Sequence, residues 1–322
     1  MKVLSICIPS YNRAELLRSC LLSLIPQINE FKDEVELVIS DDCSQDHTEE
    51  VIIWAQHQCC FGYHRQRENI GPAKNNIYVT TQMATGMFVW ILGNDDFIKP
   101  GAIKKVLEII RENPEIWYVH VNYASLTVYE LEAYPKPTTG ADFPNTLPVQ
   151  NKDAEEYYVW KWETLIRPEV SDVFMGGIQM AVVRREVWVT YAPRLVIGEM
   201  HSSLASTYPQ IILFAKGLIG KPAYHIGKPY IVVVDGAREW LENVPKICLV
   251  YLHEALDCYE VHGVDHDQIE RCRKHLVKNN CHFIMEMLKG KDMKGIDRIF
   301  MMDYIAKYWK YMGAAFVRKV LK

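Results

Sequence analysis

Asn94-Asp95-Asp96 follows the apolar run 88–92 after a single Gly93, and Asp41-Asp42 stands directly after the apolar run 35–40. Paired acids on turns can bind a hard cation, accept hydrogen bonds from hydroxyl and amide donors, or cap the next helix. A nucleoside diphosphate is itself anionic, so acids approach its phosphates only across a bridging divalent cation, and oxygen ligands select Mg2+ or Mn2+ for that task. Asp95 and Asp96, with Asn94 beside them, suit it; a turn that merely caps the following helix is the alternative, and both stand at this level. Asp41-Asp42 suits a reader of base and ribose, and equally a turn ahead of Asp46. Lys74, in ENIGPAKNN, lies near a helix start, where a cation offsets the charge of a departing diphosphate; a solvated helix lysine is the other reading.

The elements that must hold these groups can be read from hydrophobic period. Residues 3–8 form a buried strand. Residues 13–25 form an amphipathic helix with Leu16, Leu17, Leu21 and Leu24 on one face and Asn12 with Glu15 as a capping box. A second strand spans 35–40 and a second helix 47–58, capped by Asp46 and Glu49. A third strand follows at 61–65, a third helix at 73–83, and a fourth strand at 88–92 that ends on Gly93. Pro100 suits the first turn of a helix running to about residue 112. This βαβαβαβ order implies an α/β fold, a Rossmann-like, mainly parallel sheet with helices on both faces, whose ligands sit at the carboxyl ends of the strands. The polar clusters fall at those ends, Pro9-Ser10-Tyr11-Asn12-Arg13 included.

Further on, a strand is expected at 117–122, a long loop at 134–148, a strand entered through Gly176-Gly177-Ile178 and closing at Arg184-Arg185, a helix or buried segment at 208–215, and a strand at 231–234. After Gly236 the pattern changes to charged amphipathic helices. The units expected are 1–110, 111–235 and a C-terminal helical region, 236–322.

Composition narrows the function classes. The 322 residues are 49% hydrophobic and 24% charged, as in a folded protein, and the formal net charge of −4 argues against general nucleic-acid binding. Nine cysteines, an odd number without a CxxC pair, point to reduced thiols in a cytoplasmic protein. No run approaches 18 uncharged apolar residues, so no spanning segment is expected. Cys258, His262 and His266 recur every four residues, a spacing that polar helix faces produce by chance. Residues 304–322 hold Lys307, Lys310, Arg318, Lys319 and Lys322 among Tyr308, Trp309, Tyr311 and Phe316, with no acid. Such a helix either lies on an anionic bilayer, as a peripheral contact on the inner face of the cytoplasmic membrane, or packs on the domain with its lysines solvated. Neither GxGxxG nor GxxxxGK[ST] is present, which removes the main support for dinucleotide and P-loop chemistry.

Four segments, SICIPSYNR, VISDDCSQDHTEE, ENIGPAKNN and MFVWILGNDDFIKPGAI, resemble in order the motifs of glycosyltransferase family 2, which has the GT-A fold. The resemblance covers roughly residues 3–110. It implies a nucleoside-diphosphate sugar as donor, with 1–110 and 111–235 as the donor and acceptor halves of the GT-A domain. It further implies that Pro9, Tyr11, Asn12 and the adjoining Arg13 border the nucleotide, that Asp41 or Asp42 reads the base, and that Asp95 and Asp96 form the metal-binding end of a DxD-type motif. Gly93 departs from the pattern by replacing the usual first acid. His225 is a candidate third metal ligand, and an ordinary strand-edge histidine otherwise.

FMGGIQMAVVRREVW and SSLASTYPQIILFAKG resemble a narrower bacterial group that builds O-antigen side chains, including abequosyltransferases that use CDP-dideoxyhexoses. This implies that Gly176, Gly177, Tyr208 and Gln210 line the side of a glycan or lipid-linked acceptor. Family members usually carry an acidic pair there as catalytic base, and ASTYPQ has none. Either Glu199 or His201 substitutes, or the departing diphosphate takes the proton with retention of configuration, the outcome toward which the narrower resemblance leans. Arg184-Arg185 is either a phosphate contact or a strand-end charge pair. The rival readings are a sugar nucleotidyltransferase, whose glycine-rich basic loop SYNRAELLR lacks, and a catalytically silent sugar-nucleotide-binding scaffold.

Overall fold

The computed structural model describes residues 2–235 and 241–313. Its strands are β1 (Leu4–Ser10), β2 (Val35–Asp41), β3 (Gly62–Arg65), β4 (Phe88–Ile91), β5 (Phe97–Ile98), β6 (Tyr118–Thr127), β7 (Glu156–Val159), β8 (Ala181–Arg184) and β9 (Ala223–Asp235). Its helices are α1 (Ala14–Glu30), α2 (Thr48–Gln56), α3 (Pro72–Tyr78), α4 (Ala102–Glu112), α5 (Val128–Leu131), α6 (Arg185–Tyr191), α7 (Leu204–Thr207), α8 (Pro209–Gly217), α9 (Val244–Lys246), α10 (Leu252–Val261), α11 (His266–Leu288) and α12 (Arg298–Tyr308). All nine strands join one sheet, in the order β3-β2-β1-β4-β8-β6-β9-β5 with β7 on β9.

β1, β2 and β4 are buried on both faces almost throughout, as parallel strands under two helical layers must be. Register then brings the chemistry to one edge. Ser10 pairs with Asp41, and Cys7 with Ile91, so the residues after β1, β2 and β4 emerge side by side. Parallel pairing is confined to β3-β2-β1-β4 and to β6 with β9; β8 runs antiparallel to β4 and β6, and β5 and β7 antiparallel to β9. The sheet is therefore mixed beyond β4, where no run of crossover helices dictates direction.

The two faces carry separate apolar clusters. Leu4, Ile6 and Ile8 pack with Leu17, Leu21 and Leu24 of α1 and Ile103, Val106 and Leu107 of α4. Cys7, Val89 and Ile91 on the other face belong with Trp162, Phe174, Trp188 and Phe214 and with Tyr251, Leu256, Tyr259 and Ile269. α10 and the first turns of α11 thus share the core of the sheet instead of forming one of their own. A smaller cluster seats α12 on α11 through Val277, Ile284, Met301, Tyr304 and Tyr308. The boundary expected near residue 236 lies outside the described residues. No helix among the described residues is long and apolar enough to cross a membrane.

Two local expectations change. Asn12 does not cap α1: it sits at φ 47°, and its Oδ1 accepts from Gln45 N at 2.7 Å. Asp46 serves both helices instead, accepting from Ala14 N at 2.9 Å and Thr48 N at 3.1 Å, which satisfies one exposed donor at each start. Pro100 stays outside α4, because Gly101 at φ 81° makes the turn into it.

Candidate active site

A pocket of about 460 Å³ opens at the carboxyl edge of the parallel strands. Pro9, Ser10, Tyr11 and Arg13 line it from the end of β1, Asp42 from β2, Asn69 and Gly71 to Ala73 with Asn75 and Asn76 from the start of α3, and Asn94 from the turn after β4. Met200, His201, Ser206, Thr207, Tyr208 and Ile247 form the facing wall.

Asp42 accepts from Ile70 N at 2.7 Å and Gly71 N at 2.9 Å, holding the 69–71 loop against β2. Gly71 has φ 83°, a conformation glycine adopts without a Cβ penalty. Burial pushes the Asp42 carboxyl up from its usual range, and the two backbone donors counter this. Asn75 fixes α3 from beneath: its amide donates to Ser40 O at 2.9 Å, and Ser40 Oγ donates to its carbonyl at 2.6 Å. Asp41 stands behind the pocket. It is 1% exposed and accepts from Ser44 N at 3.0 Å and Tyr63 OH at 3.2 Å, with Arg65 Nε 3.4 Å away. Of the acid pair, Asp42 faces the cavity and Asp41 organises the turn. Asn12 bonds into that same turn and lies outside the lining; so does Lys74, exposed on α3.

The 93–96 turn is built around a glycine. Asp96 N donates to Gly93 O at 3.1 Å, and Gly93 N donates to Asp96 Oδ2 at 2.7 Å. A Cβ at 93 would fall 2.6 Å from Asp95 Oδ1 and 3.0 Å from Asp96 Oδ2, so a third acid at this position would collide with the pair that follows. Asn94 donates to Ser10 Oγ at 2.9 Å, and Asp95 forms an ion pair with the pocket-lining Arg13. Beneath the turn, the Cys20 thiol is driven well above its ordinary range by burial and then by the charges of Asp96 and Asp95.

Two adjacent carboxylates of this kind fit a hard divalent cation in donor type. Asp95 and Asp96 follow Asn94 without lining the cavity, and Asp95 already has Arg13 as a counterion. His225 is not placed to complete the set. It is fully buried on β9, its Nδ1 3.0 Å from His120 Nδ1 and its Nε2 3.1 Å from Asp153 O. In register it pairs with His120, four residues of β6 away from Ala124 and its partner Val232, which in turn pairs with Phe97. At about 3.3 Å per residue that separation is about 13 Å. Burial lowers the pKa of its imidazole. Among the described residues no three His, Cys, Asp or Glu side chains are grouped to hold a metal.

On the facing wall the two candidate bases separate. Glu199 is exposed and outside the lining, whereas His201 lines the pocket. His201 takes φ 58°, and its carbonyl accepts from Tyr251 OH at 2.5 Å and Lys246 Nζ at 3.2 Å. Burial, then the charges of Lys246 and Lys294, hold its imidazole below the ordinary histidine range. Tyr208 lines the cavity, while Gly176, Gly177 and Gln210 lie outside the lining, Gly176 against the Tyr208 ring. Gln210 donates to Gly176 O at 2.6 Å, and a Cβ on Gly176 would meet Val173 O at 2.9 Å and the Tyr208 ring at 3.6 Å. A Cβ on Gly177 would fall 2.5 Å from Met180 Cε.

Arg184 and Arg185 bind backbone carbonyls, Arg184 Nε that of Ile116 and Arg185 that of Thr80 and Thr81. Cys258 Sγ lies 3.9 Å from His262 Nδ1, but His266 pairs with Glu260 instead, so the three do not converge. Met200 and Ile247 went unmarked in the sequence, where ICLVY reads as one more apolar helical run.

Residues 5–173 match the family described as Glycosyl transferase family 2. The chain is 38% identical over 268 residues to Abequosyltransferase RfbV of Salmonella typhimurium, covering 80% of this chain and 75% of that one. Among solved structures, S. aureus TarS 1-349 in complex with UDP-GlcNAc is similar in fold, with a TM-score of 0.60 at 17% identity over 98% of this chain and 83% of that one. Mannosyltransferase PcManGT from Pyrobaculum calidifontis, in complex with GDP-Man and Mn2+, superposes with a TM-score of 0.53 at 13% identity over 99% and 78% of the two chains.

Proposed function

Because the chain belongs to glycosyl transferase family 2 and is therefore a glycosyltransferase of the GT-A fold, we propose that it moves a dideoxyhexose from a CDP-linked donor to a hydroxyl of a lipid-linked glycan in bacterial surface polysaccharide synthesis. One observation carries this reading: a single cavity joins the strand-end groups that suit a nucleotide to a wall whose side chains suit a sugar short of hydroxyls. Pro9, Tyr11, Asp42 and the 69–76 segment border the nucleoside; Met200, Tyr208 and Ile247 supply apolar surface for the deoxygenated ring carbons. A hydroxyl placed against the apolar part of that wall, away from His201, Ser206 and Thr207, would lose its partner, and such groups are costly to bury. The relationship to an abequosyltransferase points the same way.

Asp95 and Asp96 would hold a divalent cation, Mn2+ or Mg2+, and the ion would offset the charge that builds on the diphosphate as it leaves. Arg13, the present partner of Asp95, lines the same cavity and would turn to the donor's phosphates. His201 takes the proton of the attacking hydroxyl. Its depressed pKa keeps the imidazole neutral at neutral pH, as a general base must be. A base on the acceptor side implies inversion at the anomeric carbon, which replaces the retention favoured by the sequence resemblance.

The acceptor's lipid would be met through the C-terminus. Tyr304 and Tyr308 are buried in the α12 cluster, while Trp309 is 61% exposed beside Lys307 and Lys310. Phe316, Arg318, Lys319 and Lys322 lie outside the described residues. Flotation with vesicles containing anionic lipid tests this: Trp309→Ala should lower the bound fraction, and an unchanged fraction removes the membrane from the account. The function itself is tested by incubating the protein with CDP-, UDP- and GDP-sugars plus Mn2+ and a lipid-linked glycan extract, following nucleotide release. Release of nucleotide from none of them would leave the silent-scaffold reading in its place.

A further inference from the structure

We propose that the C-terminal helical region completes the active site: Lys246 and Tyr251 act as positioning residues that hold His201 where it can take the acceptor proton. The inference rests on the role of His201 given above. His201 is a non-glycine residue in the left-handed region, a conformation that persists only when its surroundings fix it. Within the loop, Ser202 N donates to Glu199 O at 3.1 Å, a bond that spans the His201 carbonyl. That carbonyl is instead bonded from outside by Tyr251 OH at 2.5 Å and Lys246 Nζ at 3.2 Å.

The segment that makes these contacts is itself anchored, since Ile247, Tyr251, Leu252 and Leu256 belong to the same apolar cluster as Trp162 and Phe214. Ile247 also lines the cavity, so one stretch of chain supplies both a piece of the wall and the bonds that set its neighbour.

The test combines amide hydrogen exchange, which needs no substrate, with turnover of CDP-abequose in the presence of Mn2+ and a lipid-linked glycan extract. Tyr251→Phe, which removes only the hydroxyl, should speed exchange at residues 202–206 at least tenfold and lower kcat about tenfold, with the donor KM unchanged. Lys246→Met should do the same more weakly, and Lys246→Arg should restore turnover. Because the effect passes through His201, Tyr251→Phe should cost nothing further in a His201→Ala background. Unchanged exchange in both Tyr251→Phe and Lys246→Met overturns the inference, and so do losses that multiply in the double variant. A His201→Ala variant with full turnover would instead overturn the role given to His201, and the exchange data would still decide whether the helices fix the loop.

Discussion

Replacing Gly93 by alanine would test the metal-binding turn without removing a single carboxylate. The added methyl would lie 2.6 Å from Asp95 Oδ1 and 3.0 Å from Asp96 Oδ2, both inside the 3.4 Å at which ordinary contact begins. Both obstructing atoms are side-chain oxygens, so the backbone of the turn survives and the two carboxylates swing away. Driving each off its rotamer costs on the order of 0.5–1.5 kcal/mol. The glycine-to-alanine change returns about 0.4–1 kcal/mol by restricting the unfolded chain, so net destabilisation should be about 1 kcal/mol. The effect on the site should be larger, since the Arg13–Asp95 pair and the Gly93 N to Asp96 bond both depend on where the carboxylates point. Loss of such supporting contacts typically costs about 10–100-fold in metal affinity. Calorimetric titration should therefore show Mn2+-dependent CDP binding weakened by about that factor, while CDP alone, bordered by Asp42 and the 69–76 segment, changes less than about threefold. Equal Mn2+-dependent affinity in the variant and the wild type would refute the argument.

Asp96→Ala should abolish transfer while leaving the thermal midpoint within a few degrees of wild type, and excess EDTA should do the same to the unaltered protein; full activity in either case removes the metal from the mechanism. His201→Ala should lower kcat by about 10²–10⁴, whereas Glu199→Gln should stay within about tenfold, and NMR of the product should show the anomer opposite to the donor's; a retained anomer ends the role of His201 as base. Stability should fall in acid because of His253. Burial, then the charges of Arg273 and Lys307, bring its pKa down to about 3 from the ordinary 6.5. The folded state thus favours the neutral ring, and this contribution is complete above about pH 6.5 and is lost as pH falls toward 3. By pH 5 the loss should be about 2 kcal/mol. Urea unfolding at pH 7 and pH 5 should show a loss about 2 kcal/mol smaller in His253→Gln than in the wild type, the remainder coming from other buried histidines such as His201 and His225; equal losses would contradict it.

The donor half was largely legible because its signals are local. Apolar runs of strand and helix length alternate through 3–112, and each polar cluster follows a run directly, so the order of elements alone places Pro9 to Arg13, Asp42 and Asn94 at one edge. What the pattern could not supply was the division of labour within a pair. Asp41 and Asp42 are adjacent acids, and only the pleat and the Tyr63, Arg65 and Ser44 contacts turn one inward and the other toward the cavity. Nor does sequence reveal that Arg13 meets Asp95 across 82 residues. His225 fell outside the candidate cluster for a similar reason: its chemistry suits a metal, but its register on β9 buries it against His120. The acceptor wall was the least visible part, because it depends on a docking between residues 200–208 and 246–254 that no periodicity encodes.

The most direct test of the account is a comparison of donors that differ only where the apolar wall would touch them. With Mn2+ and a lipid-linked glycan extract, kcat/KM for CDP-abequose should exceed that for CDP-galactose by about 10²-fold, the discrimination expected when hydroxyls must enter the part of the wall formed by Met200, Tyr208 and Ile247. Equal kcat/KM for the two donors, or a preference for the fully hydroxylated sugar, would contradict the assignment of this pocket.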